Sequence, residues 1–489
     1  MCSTVYGNIR SPEHGSLDES GYNTLVHVGH SVNGQSLENP FASAFRTSSA
    51  VLALLLGVSL FIFVPRLMLL LIPLGGAVLI WVVFRWPTNA LGAVLAFMPI
   101  DFMVIALGKF FGLPYMTVVS VCDKEVPLLL LAFIFWQRNG FKPAAPDWFL
   151  LASLTIAAVH TVFDGTLVGL WTDFNFVIPY FVGRMIVLTR MQEQLWARCA
   201  VWIMAVLSVV GLVEVFIIGE VPRAVLYLAI GSEADKDGLS ASFHGTGFTG
   251  LREAATTVGP NGFAVFCMIA LILWWVYCRH PLPAGMIAVG LVCSLTRSAW
   301  LGTAVAIPLV AIVMKQSKRF FLYATLFLAL FVASIPVLGI GDFLINNKRG
   351  QDESTESHQD DILSGLKFVA EHPFGAGNKR LTPTELKADS NTRLFETTYP
   401  QLSAEYGIPA VVLFIGFLLS ALRYVWQQQT RLRYATLGIL VGISIVMVVS
   451  LPLTDRRLAC WVLFPIGLAV RSSISREASL TLSPGSQVV

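Results

Sequence analysis

Two arginines and two glutamates in this 489-residue sequence stand where such residues are costly or reactive. Arg297 interrupts apolar sequence on both sides, in Cys-Ser-Leu-Thr-Arg-Ser-Ala-Trp-Leu-Gly (293–302). An arginine inside a membrane span costs about 2.5–3.5 kcal/mol on insertion scales, so it ordinarily faces a polar cavity, an anion or a carboxylate. Arg252 lies shortly before Gly259-Pro260-Asn261-Gly262, a turn sequence that opens an apolar helix. The N–H groups at such a helix start suit an anion, and two nearby guanidinium groups would grip a diphosphate through paired hydrogen bonds. Glu396 and Glu405 flank the entry to the next apolar run. Either, partly desolvated near arginines, could take a proton from a hydroxyl group. Each residue also has a structural alternative: Arg297 snorkelling or ion-paired, Arg252 bridged to Glu253, Glu405 capping a helix or paired to an arginine.

Other patterns carry less. Gly375-Ala376-Gly377 reads as a tight turn more readily than as a phosphate cradle. Asp235-Lys236-Asp237 reads as a solvated loop, and Asp123-Lys124-Glu125 as interfacial or mutually paired. His358 and His372 share a long polar stretch and read first as surface or turn histidines. The seven cysteines fall mostly in apolar runs, with neither a disulfide framework nor zinc spacing, and no metal site or cofactor is expected.

The elements that hold these residues follow from composition. Hydrophobic residues make up 55% of the chain and charged residues 13%, against about 25% charged in soluble proteins. With a mean hydropathy of +0.70 this excludes a soluble enzyme. The 33 basic and 30 acidic residues nearly balance, which argues against nucleic-acid binding. The expected fold is all-α, a polytopic transmembrane helix bundle. Apolar runs lie near 48–64, 66–84, 88–107, 116–136, 147–164, 168–188, 196–218, 259–278, 282–295, 298–314, 320–339, 407–424, 434–452 and 457–471, giving about 12–14 spans.

Residues 1–45 read as a disordered tail, 46–340 as transmembrane helices, 341–406 as a long loop, 407–472 as further transmembrane helices and 473–489 as a second tail. Within the loop, Ile362 to Ala370 has the spacing of a short amphipathic helix, with Ile362, Leu363, Leu366, Phe368 and Val369 on its apolar face and His372-Pro373 ending it. Lys and Arg concentrate in alternate short loops, which places both termini in the cytoplasm and residues 219–258, Arg297 and 341–400 together on the outer face. This parity requires the short runs flanking Arg297 to be two helices of a hairpin rather than one long helix.

Several of these pieces, in this order, resemble the O-antigen ligase and Wzy-type polysaccharide polymerase family. They are Leu295-Thr296-Arg297-Ser298-Ala299-Trp300-Leu301-Gly302, Glu371-His372-Pro373-Phe374-Gly375-Ala376-Gly377, and Tyr399 with Ala404-Glu405-Tyr406-Gly407-Ile408-Pro409. The Arg252 segment with Pro260-Asn261, and Tyr180-Phe181-Val182-Gly183-Arg184, are similar in looser fashion. The resemblance implies a metal-independent, inverting glycosyl transfer at the periplasmic face of the bacterial inner membrane, from an undecaprenyl-diphosphate-linked glycan. It implies that Arg252 and Arg297 hold the donor diphosphate, that Glu396 or Glu405 serves as base, and that Tyr399, His358 and His372 are available to the acceptor sugar. A chain-length-regulating copolymerase and a flippase are the implied partners, beside membrane lipids. Where ligases of the family carry a loop histidine this chain has Glu396 or Thr397. Polymerisation of lipid-linked repeats, for exopolysaccharide or O-antigen, is therefore the expected activity, with ligation to a lipid or protein acceptor as the alternative. A transporter without chemistry is the rival from another class, and it would need a polar path running through the bundle.

Overall fold

The computed structural model describes residues 78, 80–111, 116–219, 254–257, 259–325, 332, 363–378, 397–428 and 430–481, all within one unit, Ile62–Val489. Side chains at 116–124, 164, 168 and 475–481 are outside the description. Among the described residues there is helix and no strand. The helices are α1 (Pro87–Phe97), α2 (Asp101–Phe110), α3 (Met116–Asn139), α4 (Ala145–Asp164), α5 (Leu167–Phe174), α6 (Val177–Met185) and α7 (Arg190–Val213). After them come α8 (Pro260–Tyr277), α9 (Pro281–Cys293), α10 (Arg297–Val313), α11 (363–371), α12 (Thr398–Gln427), α13 (Arg431–Val449) and α14 (Arg456–Thr481). Residues 80–85 and 317–325 are also helical.

Among the described residues six helices are long and apolar enough to cross a membrane, or seven if α1 and α2, bent by 71° about their break, form one span. The expected apolar runs from 88–107 to 298–314 and from 407–424 to 457–471 fold as helix among the described residues, but not all as single rods, while the run at 48–64 and parts of those at 66–84 and 320–339 lie outside the described residues. The run at 168–188 divides at Asn175-Phe176 into α5 and α6, where the Asn175 amide donates to Thr172 O at 2.7 Å. The run at 116–136 lies within one helix, α3, that carries Asp123, Lys124 and Glu125 and so misses the composition of a clean span.

Helix α8 forms the centre of the bundle, buried along nearly its whole length. The sequence around Arg297 folds as two antiparallel helices, α9 and α10, turning at Leu295 (φ +52°). Trp300 Nε1 donates across the turn to Leu291 O at 2.7 Å. Thr296 reaches back to the start of α8, its hydroxyl 3.2 Å from Asn261 Oδ1 and 3.3 Å from Pro260 O. At the far end of α8, Arg319 caps the last carbonyls, donating to Cys278 O at 3.1 Å. The hairpin condition for the parity above is therefore met. Glycines let α10 sit against its neighbours: a Cβ on Gly302 would lie 2.7 Å from Met268 Sδ and 3.0 Å from Gly442 O.

The two ends of the bundle differ chemically. At one end the starts of α8, α10, α12 and α14 gather with the α1–α2 bend. Thr256 donates to Pro99 O at 2.7 Å, Arg457 to Asp101 at 2.6 Å, Arg456 to Glu125 at 2.6 Å, and Thr398 to Ser450 O at 2.7 Å. At the other end arginines bond helix C-terminal and loop carbonyls: Arg138 to Phe84 O, Arg433 to Gln428 O and Arg471 to Asn139 O. Here Arg184, wholly buried, makes a two-pronged bond to Asp147 at 2.8 Å, and Tyr180 donates to the same carboxylate at 2.7 Å.

Candidate functional site

The site is assembled where two chain segments cross. Residues 373–378 run beside 404–408, joined by backbone bonds from Ala376 N to Ala404 O (2.8 Å), Gly377 N to Glu405 O (3.0 Å) and Ile408 N to Pro373 O (2.9 Å). The crossing needs glycine at two places. Gly375 and Gly407 have φ of +87° and +86°, and a Cβ on Gly375 would lie 2.6 Å from Gly407 N. Gly407 also breaks α12, so Glu405 and Tyr406 sit at the end of its first segment rather than inside a continuous rod. The Gly-Ala-Gly stretch is thus a backbone lock, in line with the tight-turn reading.

The lock places Asn378, 3% exposed, in a narrow slot beside Gly165 and Gly169. Its Oδ1 accepts from Thr166 N at 2.6 Å, and its Nδ2 donates to Thr166 O at 3.2 Å and to the Tyr406 hydroxyl at 3.0 Å. Tyr406 in turn donates to Asp173 Oδ2 at 2.6 Å. Gln401 Nε2 donates to Glu405 Oε1 at 2.8 Å. Asp173 and Glu405 are 8% and 3% exposed, and neither pairs with a Lys, Arg or His among the described residues. A cavity beside them is lined by Asp173, Thr398, Gln401, Leu402, Leu451 and Thr454.

Arg297 is the first residue of α10 and is exposed, next to the paired helix starts of α8 and α10. The hairpin thus places it at the polar end of the bundle. Tyr399 is half-buried in the first turn of α12. His372 stacks on Phe368, ring centroids 4.5 Å apart, with Nδ1 3.3 Å from Phe368 O, and is built into the end of α11. That helix occupies 363–371, close to the expected span, but a different face meets the bundle. Phe368 and Val369 pack on Ala404, whereas Leu363 and Leu366 are 66% and 57% exposed. At 100° per residue the five apolar positions span too wide an arc for all to face inward, and the turn carrying Gly365, Phe368 and Val369 is the one that docks. Arg252, Glu396, His358 and Ile362 lie outside the described residues.

Asp173, Asn378, Tyr406 and the cluster Asp101–Arg457–Asp455 had not been singled out for chemistry. Asp173 carries a usable signal, an isolated acid in Leu-Trp-Thr-Asp-Phe, costly in apolar surroundings for the same reason as Arg297. Between the Tyr406 network and the Tyr180–Asp147–Arg184 cluster the interior is aromatic. Rings pass in contact from Tyr406 through Phe174, Phe176, Phe414 and Phe417 to Tyr180. This column interrupts the polar path a conduit would need between those clusters.

An all-α, multi-pass membrane bundle with two buried carboxyl groups at one end is the class these features define. Residues 282–415 match the family model described as O-Antigen ligase, consistent with the resemblance that the motifs in this segment carry. The matched segment holds Arg297, α11, the glycine crossing and Glu405. The search of curated proteins finds no match.

Proposed function

We propose that the protein polymerises lipid-linked oligosaccharide repeats at the periplasmic face of the bacterial inner membrane, taking glycan from an undecaprenyl-diphosphate carrier. The observation that carries this is the O-antigen ligase domain match over the segment containing Arg297 and Glu405. In this reading Arg297 and Arg252, with the neighbouring starts of α8 and α10, hold the donor diphosphate. They neutralise the charge that grows on it as the glycosidic bond breaks, which is transition-state stabilisation without a metal. The general base is a carboxylate, Glu405 or Glu396, and Tyr399 and the loop histidines His358 and His372 are available to the acceptor. The arginines at the opposite end of the bundle, including Arg138, Arg433 and Arg471, support a cytoplasmic assignment for that end and for both termini. A copolymerase that sets chain length and a flippase that delivers the repeat are the partners this activity calls for.

Ligation is the second reading, favoured by the description of the matched family model itself. Deletion in the host separates the two. Loss of a polymerase leaves single lipid-linked repeats and no polymer, whereas loss of a ligase leaves full-length polymer on the carrier and an unmodified acceptor. Unchanged repeats, polymer and acceptor would sink both.

A further inference from the structure

Helix α11 has three faces, and among the described residues one of them is packed. Gly365 is buried, and Phe368 and Val369 dock on Ala404 of α12. At 100° per residue the remaining positions fall into two stripes. One holds Leu363, Leu366 and Ala370, and the other holds Ser364, Lys367 and Glu371, all of them exposed. Phe374, just past the helix, is 72% exposed. Going round the helix from the docked face, the apolar stripe comes next and the polar stripe after it. A helix in water would turn its leucines inward; protein, apolar and polar faces in succession suit a helix lying on the rim of a bundle where lipid meets water.

Helix α12 sets the level of that rim. Its exposed residues Ile408, Val412, Ile415, Leu419 and Trp426 recur at helical spacing, the lipid-facing stripe of a helix long and apolar enough to cross a membrane. From Ile408 to Gln427, where the helix ends, it rises about 28 Å at 1.5 Å per residue. The hydrocarbon core of a bilayer is ~30 Å thick, so Ile408 marks one boundary of it. Trp426, with the Arg433 guanidinium 4.6 Å over its ring, marks the other. Ile408 N donates to Pro373 O at 2.9 Å, which ties Phe374 and the end of α11 to the first boundary. The exposed apolar residues of α11 therefore continue a surface that already faces lipid.

We propose that the Leu363–Leu366 stripe of α11, together with Phe374, is seated in the acyl chains just beneath the headgroups of the leaflet at this end of the bundle. The segment carrying the glycine crossing is then held by the bilayer as well as by α12. The partner is the lipid surface itself. Lys367 and Glu371 stand four positions apart on the polar stripe and offset each other in charge, so the contact is apolar and selects no headgroup charge. The inference stands without the glycosyl-transfer reading. Under that reading it sets the crossing at the level of a lipid-linked diphosphate.

The test uses the full chain in nanodiscs, with two readouts. The first needs no variant: wild type is irradiated with a phospholipid carrying a photoreactive group on its acyl chain, and adducts are mapped by mass spectrometry. Adducts on Leu363, Leu366 or Phe374 are expected beside those on Val412 and Leu419. Adducts on α12 with none on 363–374 would overturn the proposal. The second readout places a nitroxide, through an encoded keto amino acid that leaves the seven cysteines untouched, at Leu366, Phe374, Ser364 or Val412 in turn. Labels at Leu366 and Phe374 should follow Val412 and relax more with dissolved oxygen than with a water-soluble nickel chelate, and the label at Ser364 should do the reverse. Nickel ahead of oxygen at Leu366 and Phe374 would mean a helix facing water, and shielding from both reagents would mean a protein partner or a second copy; either result overturns the proposal. Phosphatidylcholine nanodiscs with and without phosphatidylglycerol should agree, and oxygen access that appears only with the anionic lipid would contradict an apolar contact.

Discussion

A Cβ on Gly375 would lie 2.6 Å from the amide nitrogen of Gly407, so the backbones of two segments that are 32 positions apart cross without room for a side chain on either. The crossing fixes the direction of Glu405 and Tyr406, because residues 404 and 405 offer their carbonyls to Ala376 and Gly377 on the other strand of the lock. Alanine at Gly407 would meet Phe374 O at 2.7 Å and would have to hold a positive φ. The backbone term alone costs about 1–2 kcal/mol. Gly375→Ala and Gly407→Ala should therefore lower the melting temperature of the purified protein and abolish its activity, and a melting curve unchanged from wild type in both would contradict the lock.

Tyr406→Phe tests the link from the lock to Asp173. Removing the hydroxyl leaves Asp173 Oδ2 and the Asn378 amide each short of a buried partner, at a cost of about 1–3 kcal/mol per group. The variant should melt lower, and Asn378→Ala should melt lower by a similar amount. Together they should be less than additive, because both break one chain of hydrogen bonds. Additive losses in thermal melts would mean the two act independently.

The helical character of the chain, the loop helix and its stop at His372-Pro373 were legible in the sequence, because each rests on local rules of apolar run length and proline chemistry. Whether the short runs flanking Arg297 form one helix or two was left open by the same rules. Glu405 was legible as a candidate because it stands at the entry to an apolar run. Asp173 was not. Tyr406 bonds Asp173 across 233 positions, and nothing local announces that a short helix from one apolar run will end against the first turns of another. Asn378 was missed because it follows two glycines whose turn was visible while the slot formed by Gly165 and Gly169 was not. The break of the run at 168–188 into α5 and α6 escaped because apolar run length measures hydrophobicity and is blind to a turn at Asn175-Phe176.

Arg184 belongs to the similar segment Tyr180 to Arg184, yet it lies buried against Asp147 at the opposite end of the bundle from Glu405. Removing one member of a buried ion pair costs about 3–5 kcal/mol, whereas replacing both by apolar groups is often neutral. Arg184→Met alone should sharply reduce folded protein, and Arg184→Met with Asp147→Leu and Tyr180→Phe should recover much of it. Transfer per folded molecule in the triple variant should match wild type. A folded triple variant with no transfer would assign this cluster to the reaction.

Arg297→Lys keeps the charge but loses the planar fork that matches a phosphate. Losing one charge-assisted bond of about 1.5–3 kcal/mol corresponds to at least about tenfold weaker handling of the donor. Transfer measured against donor concentration should show this loss with the melting temperature unchanged. Wild-type kinetics in the lysine variant would remove Arg297 from the donor site.

The most direct test of the function is reconstitution of the purified protein with an undecaprenyl-diphosphate-linked repeat and EDTA, with Arg297→Ala alongside and products separated by gel. A ladder of lipid-linked glycans that persists in EDTA and is lost in the variant is the predicted result. Transfer only to an added lipid A core acceptor would replace polymerase with ligase, and no transfer from verified substrate would contradict glycosyl transfer altogether.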